Sequence, residues 1–367
     1  MSEEKKQVPQ PEPAAPEAAV SVPSAESSVA DIEKPPEPTW KKTLKFVLKF
    51  GVSAGILTYI ICTRDINWQD FGRVNPWCIA ASFLCVYTQL ALTGVRWFFL
   101  LRAAGVNCSF REAFSLQMQG MFFSQFLPGG SVGGDVVKAG ILATRTPPGG
   151  KFNVVFSIFV DRLCGLGALL IALLSTCLIC HDTIAQFPEG QRNGLLAMCA
   201  VCGCLLCVVI FVFFSDLLYK VKFFKFFLDI ADRITKDTFK RAAAAVALYR
   251  SRWKMLLGWI AATTFVFFPV LGMPVWLLAN GFAGAPHRDF LPCLMISNVS
   301  QTIAAIPGSF GGTGTRDIAG AEMMTAMGFS KTESGVIPIL VTVVTLLVAL
   351  SCSVFFIFDR GKRRPGR

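Results

Sequence analysis

Phe126-Leu-Pro-Gly-Gly-Ser-Val-Gly-Gly-Asp135 and Ala305-Ile-Pro-Gly-Ser-Phe-Gly-Gly-Thr-Gly-Thr-Arg-Asp317 decide how this chain is read. Each places a proline, a glycine cluster and charge beside apolar sequence. Each follows a short apolar stretch, begun by Arg111-Glu112 in one case and Arg288-Asp289 in the other, and leads into an Ala/Gly-rich segment of helical character. The pair is an internal repeat. Interrupted helices at matching positions in two halves of a membrane protein are the sequence mark of a substrate site between inverted repeats.

The surrounding composition sets the solvent. Of 367 residues 53% are hydrophobic and 16% charged, and the mean hydropathy is +0.54. A soluble domain of this size has no core large enough for that much apolar surface, so an integral membrane protein is expected. The apolar runs are about 20 residues long and lack the alternation of barrel strands. The spans should therefore be helices, since a helix satisfies its own backbone in lipid. The net charge of +11 comes from basic loops; it marks orientation and contact with anionic headgroups, not nucleic acid.

Six full spans are expected at 44–63, 77–101, 152–180, 194–215, 255–280 and 335–358. They form a membrane domain over 40–358. Residues 1–39 hold eight prolines and seven glutamates, which predicts a disordered tail; no apolar stretch resembles a signal peptide. Lys41, Lys42, Lys45 and Lys49 precede the first span, ten Lys/Arg crowd 216–254, and a basic tail occupies 359–367. By the positive-inside rule these three regions and both termini are cytoplasmic. In 216–254, Phe223, Phe224, Phe226, Phe227 and Ile230 alternate with Lys220, Lys222, Lys225 and Arg233, the pattern of an interfacial amphipathic helix.

This assignment leaves 112–150 entering and leaving on the cytoplasmic face and 291–334 on the outer face. The fold class that follows is all-α: six transmembrane helices plus two oppositely oriented re-entrant hairpins in an inverted-topology repeat.

A re-entrant tip has unpaired backbone groups, tolerated only against protein or water. Pro128, Gly129, Gly130, Gly133 and Gly134 in the first hairpin, with Pro307, Gly308, Gly311, Gly312 and Gly314 in the second, permit tight turns and close approach. The helices that follow would aim N–H groups at an anion such as phosphate. Close helix packing is the alternative use of the same glycines. Asp135 and Lys138 follow the first cluster, Arg316, Asp317 and Glu322 the second, and Asp161 with Arg162 lies about 13 Å into the third span at ~1.5 Å per residue. A lone charge at that depth costs at least about 2.5–3.5 kcal/mol, so these groups should pair or face a wet cavity. Lys138 is the expected partner of Asp161, and Asp317 or a lipid phosphate that of Arg162. Ion pairs that only lock helices together are the alternative. Arg96 and Arg102 are expected to snorkel to headgroups.

Most of the thirteen cysteines lie in apolar runs as small hydrophobes. Cys177, Cys180, Cys199, Cys202, Cys204 and Cys207 show C-x-x-C spacing, but no carboxylate or second histidine supports a metal site. With His181 and His287 both in loops, no triad order and no nucleotide-phosphate loop, neither an enzyme nor a cofactor is expected.

At four places the sequence resembles the transmembrane domain of bacterial lysylphosphatidylglycerol synthases and the stand-alone flippase-like membrane proteins of that family. These are R-W-F-F-L-L-R-A-A-G from Arg96, F-L-P-G-G-S-V-G-G-D-V-V-K from Phe126, D-R-L-C-G-L-G from Asp161 and I-P-G-S-F-G-G-T-G-T-R-D from Ile306. The resemblance covers roughly 40–358. It implies a lipid-translocating protein of the bacterial inner membrane that lacks the aminoacyltransferase domain. Its partners would be membrane lipids: an anionic or aminoacylated phospholipid, a hopanoid or a polyprenyl-linked lipid, with a lipid-modifying enzyme as a further partner. Asp317 stands where the family pattern has glutamate. The competing expectation is an accessory subunit of a lipid or glycan pathway that acts only with a partner.

Overall fold

The computed structural model describes residues 68–126, 130–147, 150–214, 249, 251–306 and 314–360. The expected span at 44–63, the N-terminal tail, most of the 216–254 loop and the end of the basic tail lie outside the described residues.

The described chain is helical, with one isolated bridge between Val74 and Phe282. In order the helices are α1 (Trp68–Phe71), α2 (Pro76–Ala103), α3 (Phe110–Phe126), α4 (Ser131–Arg145), α5 (Lys151–Ile179), α6 (His181–Ala185) and α7 (Glu189–Phe214). They continue as α8 (Trp253–Ala262), a π-helical turn (Thr263–Phe267), α9 (Phe268–Asn280), α10 (Phe290–Ala304), α11 (Thr315–Ala326), α12 (Lys331–Ser351) and α13 (Ser353–Arg360). Five stretches are long and apolar enough to cross a membrane: Pro76–Ala103, Lys151–Ile179, Glu189–Cys207, Trp253–Asn280 and Lys331–Ile357. They match the second to sixth expected spans. The protein is a multi-pass membrane protein.

Local sequence sets several boundaries. Asn75 caps α2 by accepting from the Trp77 N–H at 3.0 Å, and Pro76 occupies the first helical position, where its missing N–H has no cost. Ser330 and Glu333 form a reciprocal capping box on α12. At Cys352 the last apolar run breaks into α12 and α13.

Between the long helices lie two pairs of short ones. α3 and α4, 17 and 15 residues, pack on one another, as do α10 and α11, 15 and 12 residues. At ~1.5 Å per residue these run about 18–26 Å, short of the ~30 Å hydrocarbon thickness. The α3–α4 pair is tied across its open end by Arg145 to Glu112 at 2.8 Å. Beside it, Asn153 at the start of α5 donates to the Ala104 carbonyl after α2 at 2.9 Å. The α10–α11 pair is tied by Arg288 donating to the Gly328 carbonyl at 3.1 Å. The loop before α10 in turn joins the loop before α2, through Asn75 N–H to Gly281 at 2.9 Å and Ala283 N–H to Arg73 at 2.8 Å.

Packing follows this arrangement. α2 lies against α3, α5, α9 and α12, and α5 against α4, α7 and α10. One apolar cluster surrounds Trp97, Leu100, Leu116, Leu142 and Val154 at the first pair; another surrounds Leu173, Leu278, Met295, Ile296 and Val336 at the second.

Candidate functional site

Of the glycines and prolines singled out in the sequence, Pro128, Gly129, Pro307, Gly308, Gly311 and Gly312 lie outside the described residues. Gly130 caps α4 with φ 58°, and Gly314 caps α11 with φ 90°. Both are backbone conformations that cost an L side chain roughly 1–2 kcal/mol. Gly133 is half-buried in the first turn of α4. Gly134 serves packing: a Cβ there would stand 2.2 Å from the Gly120 carbonyl oxygen, so the absence of a side chain sets how closely α3 and α4 approach.

The charges of the first half gather around α4 and α5. Asp135 accepts from Lys138, one turn on, at 3.1 Å, and from Arg162 of α5. Lys138 is 3% exposed; its ammonium also donates to Gln117 Oε1 of α3 at 3.0 Å and lies 4.6 Å from the centre of the Trp97 ring. Burial of this cation is thus met by a carboxylate, an amide and an aromatic face. The Arg162 side chain, 51% exposed, donates additionally to the Ser131 carbonyl at 3.2 Å. It remains accessible while held in place.

Asp161 has a different partner from the one expected. Lys138 is already satisfied within its own helix, and Asp161 is met by Arg96 of α2, whose Nε donates to its Oδ1 at 2.8 Å. Arg96 does not snorkel: its side chain is 6% exposed, and Nη1 donates to Thr263 Oγ1 in the π-turn at 3.0 Å. Room for the guanidinium is left by Gly165, where a Cβ would lie 3.4 Å from Arg96 Nη2. Asp161 and Gly165 are four residues apart on one face of α5, so a carboxylate and an open space meet the guanidinium together. Arg102, by contrast, is exposed and stacks on Phe98.

The second half is more enclosed. Asp317 is 1% exposed and receives the Thr342 hydroxyl of α12 at 2.8 Å, Arg316 Nε at 3.3 Å and the Gly314 N–H at 3.4 Å. Arg316, its side chain 14% exposed, donates also to the Thr342 hydroxyl. Arg162 therefore meets Asp135 rather than Asp317, which is saturated on its own side. Arg316 and Asp317 border a cavity of about 30 Å³ among α2, α9, α10, α11 and α12, with Ser297, Ser300, Gln301 and Thr345 as further polar walls. That volume accommodates water and no headgroup. Gln117, Thr263 and Thr342 were not legible as site residues, because single polar residues in apolar helices most often bond their own turn.

Outside the spans, burial pushes the Cys108 thiol up to about 11, with Glu112 adding to the shift and Arg102 opposing it. Among the described residues no group of His, Cys, Asp and Glu is arranged to hold a metal.

The model of the lysylphosphatidylglycerol synthase TM region matches residues 46–352, which takes in both short helical pairs and every charge described above. The chain belongs to this family. The match places it among membrane proteins of phospholipid metabolism. A UPF0104 membrane protein of Pyrococcus horikoshii is 20% identical over 302 residues, covering 79% of this chain and 89% of the relative. No solved structure matches.

Proposed function

We propose that this protein moves a lipid between leaflets, its headgroup crossing through a polar path bordered by two re-entrant hairpins, α3–α4 and α10–α11. The observation that carries the reading is the repeated local chemistry. The second helix of each short pair begins after a positive-φ glycine, Gly130 or Gly314, and carries an aspartate that meets an arginine: Asp135 meets Arg162 of α5, and Asp317 meets Arg316 of its own helix.

The ties at the open ends support an inverted arrangement. The Glu112–Arg145 pair closes one hairpin near the C-terminal end of α2, and the Arg288–Gly328 bond closes the other near the loop joined to the N-terminal end of α2. Two such units, each flanked by long helices, form the inverted repeat of transporters. With 216–254 and the termini basic, the hairpin α3–α4 opens to the cytoplasm and α10–α11 to the outside of a bacterial inner membrane.

Arg162 and Arg316 are the phosphate ligands of this reading; the cavity at Arg316 holds only water as it stands, so a phosphate reaches this arginine once α11 and α12 part. Lys138 and Asp161, fully buried in pairs, hold the arginines' surroundings in place, while Asp135 and Asp317 orient the guanidiniums and balance their charge. No bond is made or broken, so the activity is transport, not catalysis; direction comes from a gradient or from consumption of the lipid on one side. The substrate is an anionic or aminoacylated phospholipid, as the family relation favours. Arg316→Ala should abolish leaflet exchange of a fluorescent anionic phospholipid in liposomes while the protein still elutes as a folded species. Normal exchange by Arg316→Ala would remove the phosphate-site assignment.

A further inference from the structure

Helix α11 has two differently lined sides. Arg316, Asp317, Gly320 and Met324 face the small cavity among α2, α9, α10 and α12. Thr315, Ile318, Ala319, Glu322, Met323 and Ala326, the residues of another face at helical spacing, line a groove of about 440 Å³. Its far wall is one stripe of α7, Gln191, Gly194, Leu195 and Met198, and its floor is Val299 and Ile303 of α10. α7 meets its neighbours along this stripe's side, while Leu196 and Val201 face outward.

An open, mostly apolar groove of this size favours an apolar occupant. Left empty, its walls would forfeit dispersion contacts that a packed interior makes. Water does not fill an apolar cavity of this kind, because it finds too few polar partners there. One wall, α7, is a candidate membrane span and the lining is mostly apolar, so hydrocarbon is the filler that suits it. Gln191, whose Oε1 is buried without a hydrogen-bond partner among the described residues, borders this otherwise mostly apolar groove.

We infer that the groove between α7 and the α10–α11 hairpin holds one acyl chain of the lipid whose phosphate is bound at Arg316. The inference rests on the transport reading for the identity of that lipid. Thr315 and Arg316 are consecutive in the first turn of α11, one bordering the groove and the other the small cavity. The helix thus divides the tail from the head, and the protein, not bulk lipid alone, guides one chain.

Photolabelling tests this without requiring transport. The purified protein is placed in vesicles containing an anionic glycerophospholipid with a diazirine in one acyl chain, and adducts are mapped by mass spectrometry. Gly194→Phe fills the groove; a Cβ at Gly194 meets nothing within 4 Å, so the change enters open space. Gly194→Leu serves as a second, smaller block. The expected adducts concentrate on Met198, Ile303 and Met323, and they fall about tenfold in Gly194→Phe, the equivalent of losing two methylene contacts. They fall likewise in Arg316→Ala, which leaves the groove intact. Labelling spread evenly over outward residues such as Leu178, Val201 and Leu347, or unchanged in Gly194→Phe, overturns the site. Groove labelling unchanged in Arg316→Ala overturns the assignment to the head-bound lipid. Groove labelling lost in both variants, with no leaflet exchange by the wild type, upholds the acyl site and removes only the transport reading.

Discussion

Asp161→Asn isolates the most heavily buried charge pair in the bundle. The Arg96 and Asp161 side chains are 6% and 5% exposed, and the bond between them is 2.8 Å. The amide keeps the shape of the carboxylate and an oxygen that can still accept from Arg96 Nε, but it removes the charge, so the guanidinium loses its counter-charge and keeps only neutral acceptors there and at Thr263. Removing one member of a buried pair costs about 3–5 kcal/mol, most of it the penalty of a buried charge without a counter-charge. The same cost is expected for Arg96→Met. The double variant Arg96→Met/Asp161→Asn removes both charges and should recover at least about 2 kcal/mol relative to the sum of the singles, since contacting residues are strongly non-additive. Reversible unfolding in mixed micelles, followed by tryptophan fluorescence across an SDS titration, measures all three. A loss below about 1 kcal/mol for Asp161→Asn, or singles that simply add, would refute the reasoning.

Three other outcomes follow from the geometry. Gly134→Ala, with its Cβ directed 2.2 Å from the Gly120 oxygen, should destabilise by about 1–3 kcal/mol, whereas Gly140→Ala, where nothing lies within 4 Å, should be neutral or stabilising in the same unfolding assay. Arg162→Ala should change stability by less than about 1 kcal/mol because its side chain is half exposed, yet it should stop leaflet exchange; normal exchange would show that Arg162 only locks α4 to α5. A thiol held at about 11 keeps its thiolate fraction near 10⁻⁴ at pH 7, so Cys108 should resist maleimide in the folded protein and react after denaturation, with folded-state reactivity rising as pH approaches 11.

The legibility of this protein in its sequence divides along physical lines. Span positions follow from hydropathy over long windows, and each of the five described spans overlaps its expected position, though Glu189–Cys207 lies earlier than the expected 194–215. Glycines at 130 and 314 stand at positive φ where α4 and α11 begin, positions that suit a residue without Cβ. Pairing of buried charges was not legible. Hydropathy assigns Arg96 to the inner end of its helix and says nothing of its rotation about the axis. Only α5, with Asp161 and Gly165 on one side, determines that the guanidinium turns inward. The same limit applies to Thr342, whose bridging of Arg316 and Asp317 depends on how α12 crosses α11. Likewise the groove beside Ala319 and Met323 exists because α7 stands off from α10 and α11, a packing result no single helix encodes.

Lipid translocation itself is tested most directly by reconstituting the wild-type protein in liposomes with a fluorescent anionic phospholipid in both leaflets and adding an impermeant quencher outside. The account predicts that signal falls well past the half that protein-free vesicles lose, as inner-leaflet lipid reaches the quencher without ATP. Folded protein that leaves the inner half unquenched would contradict it.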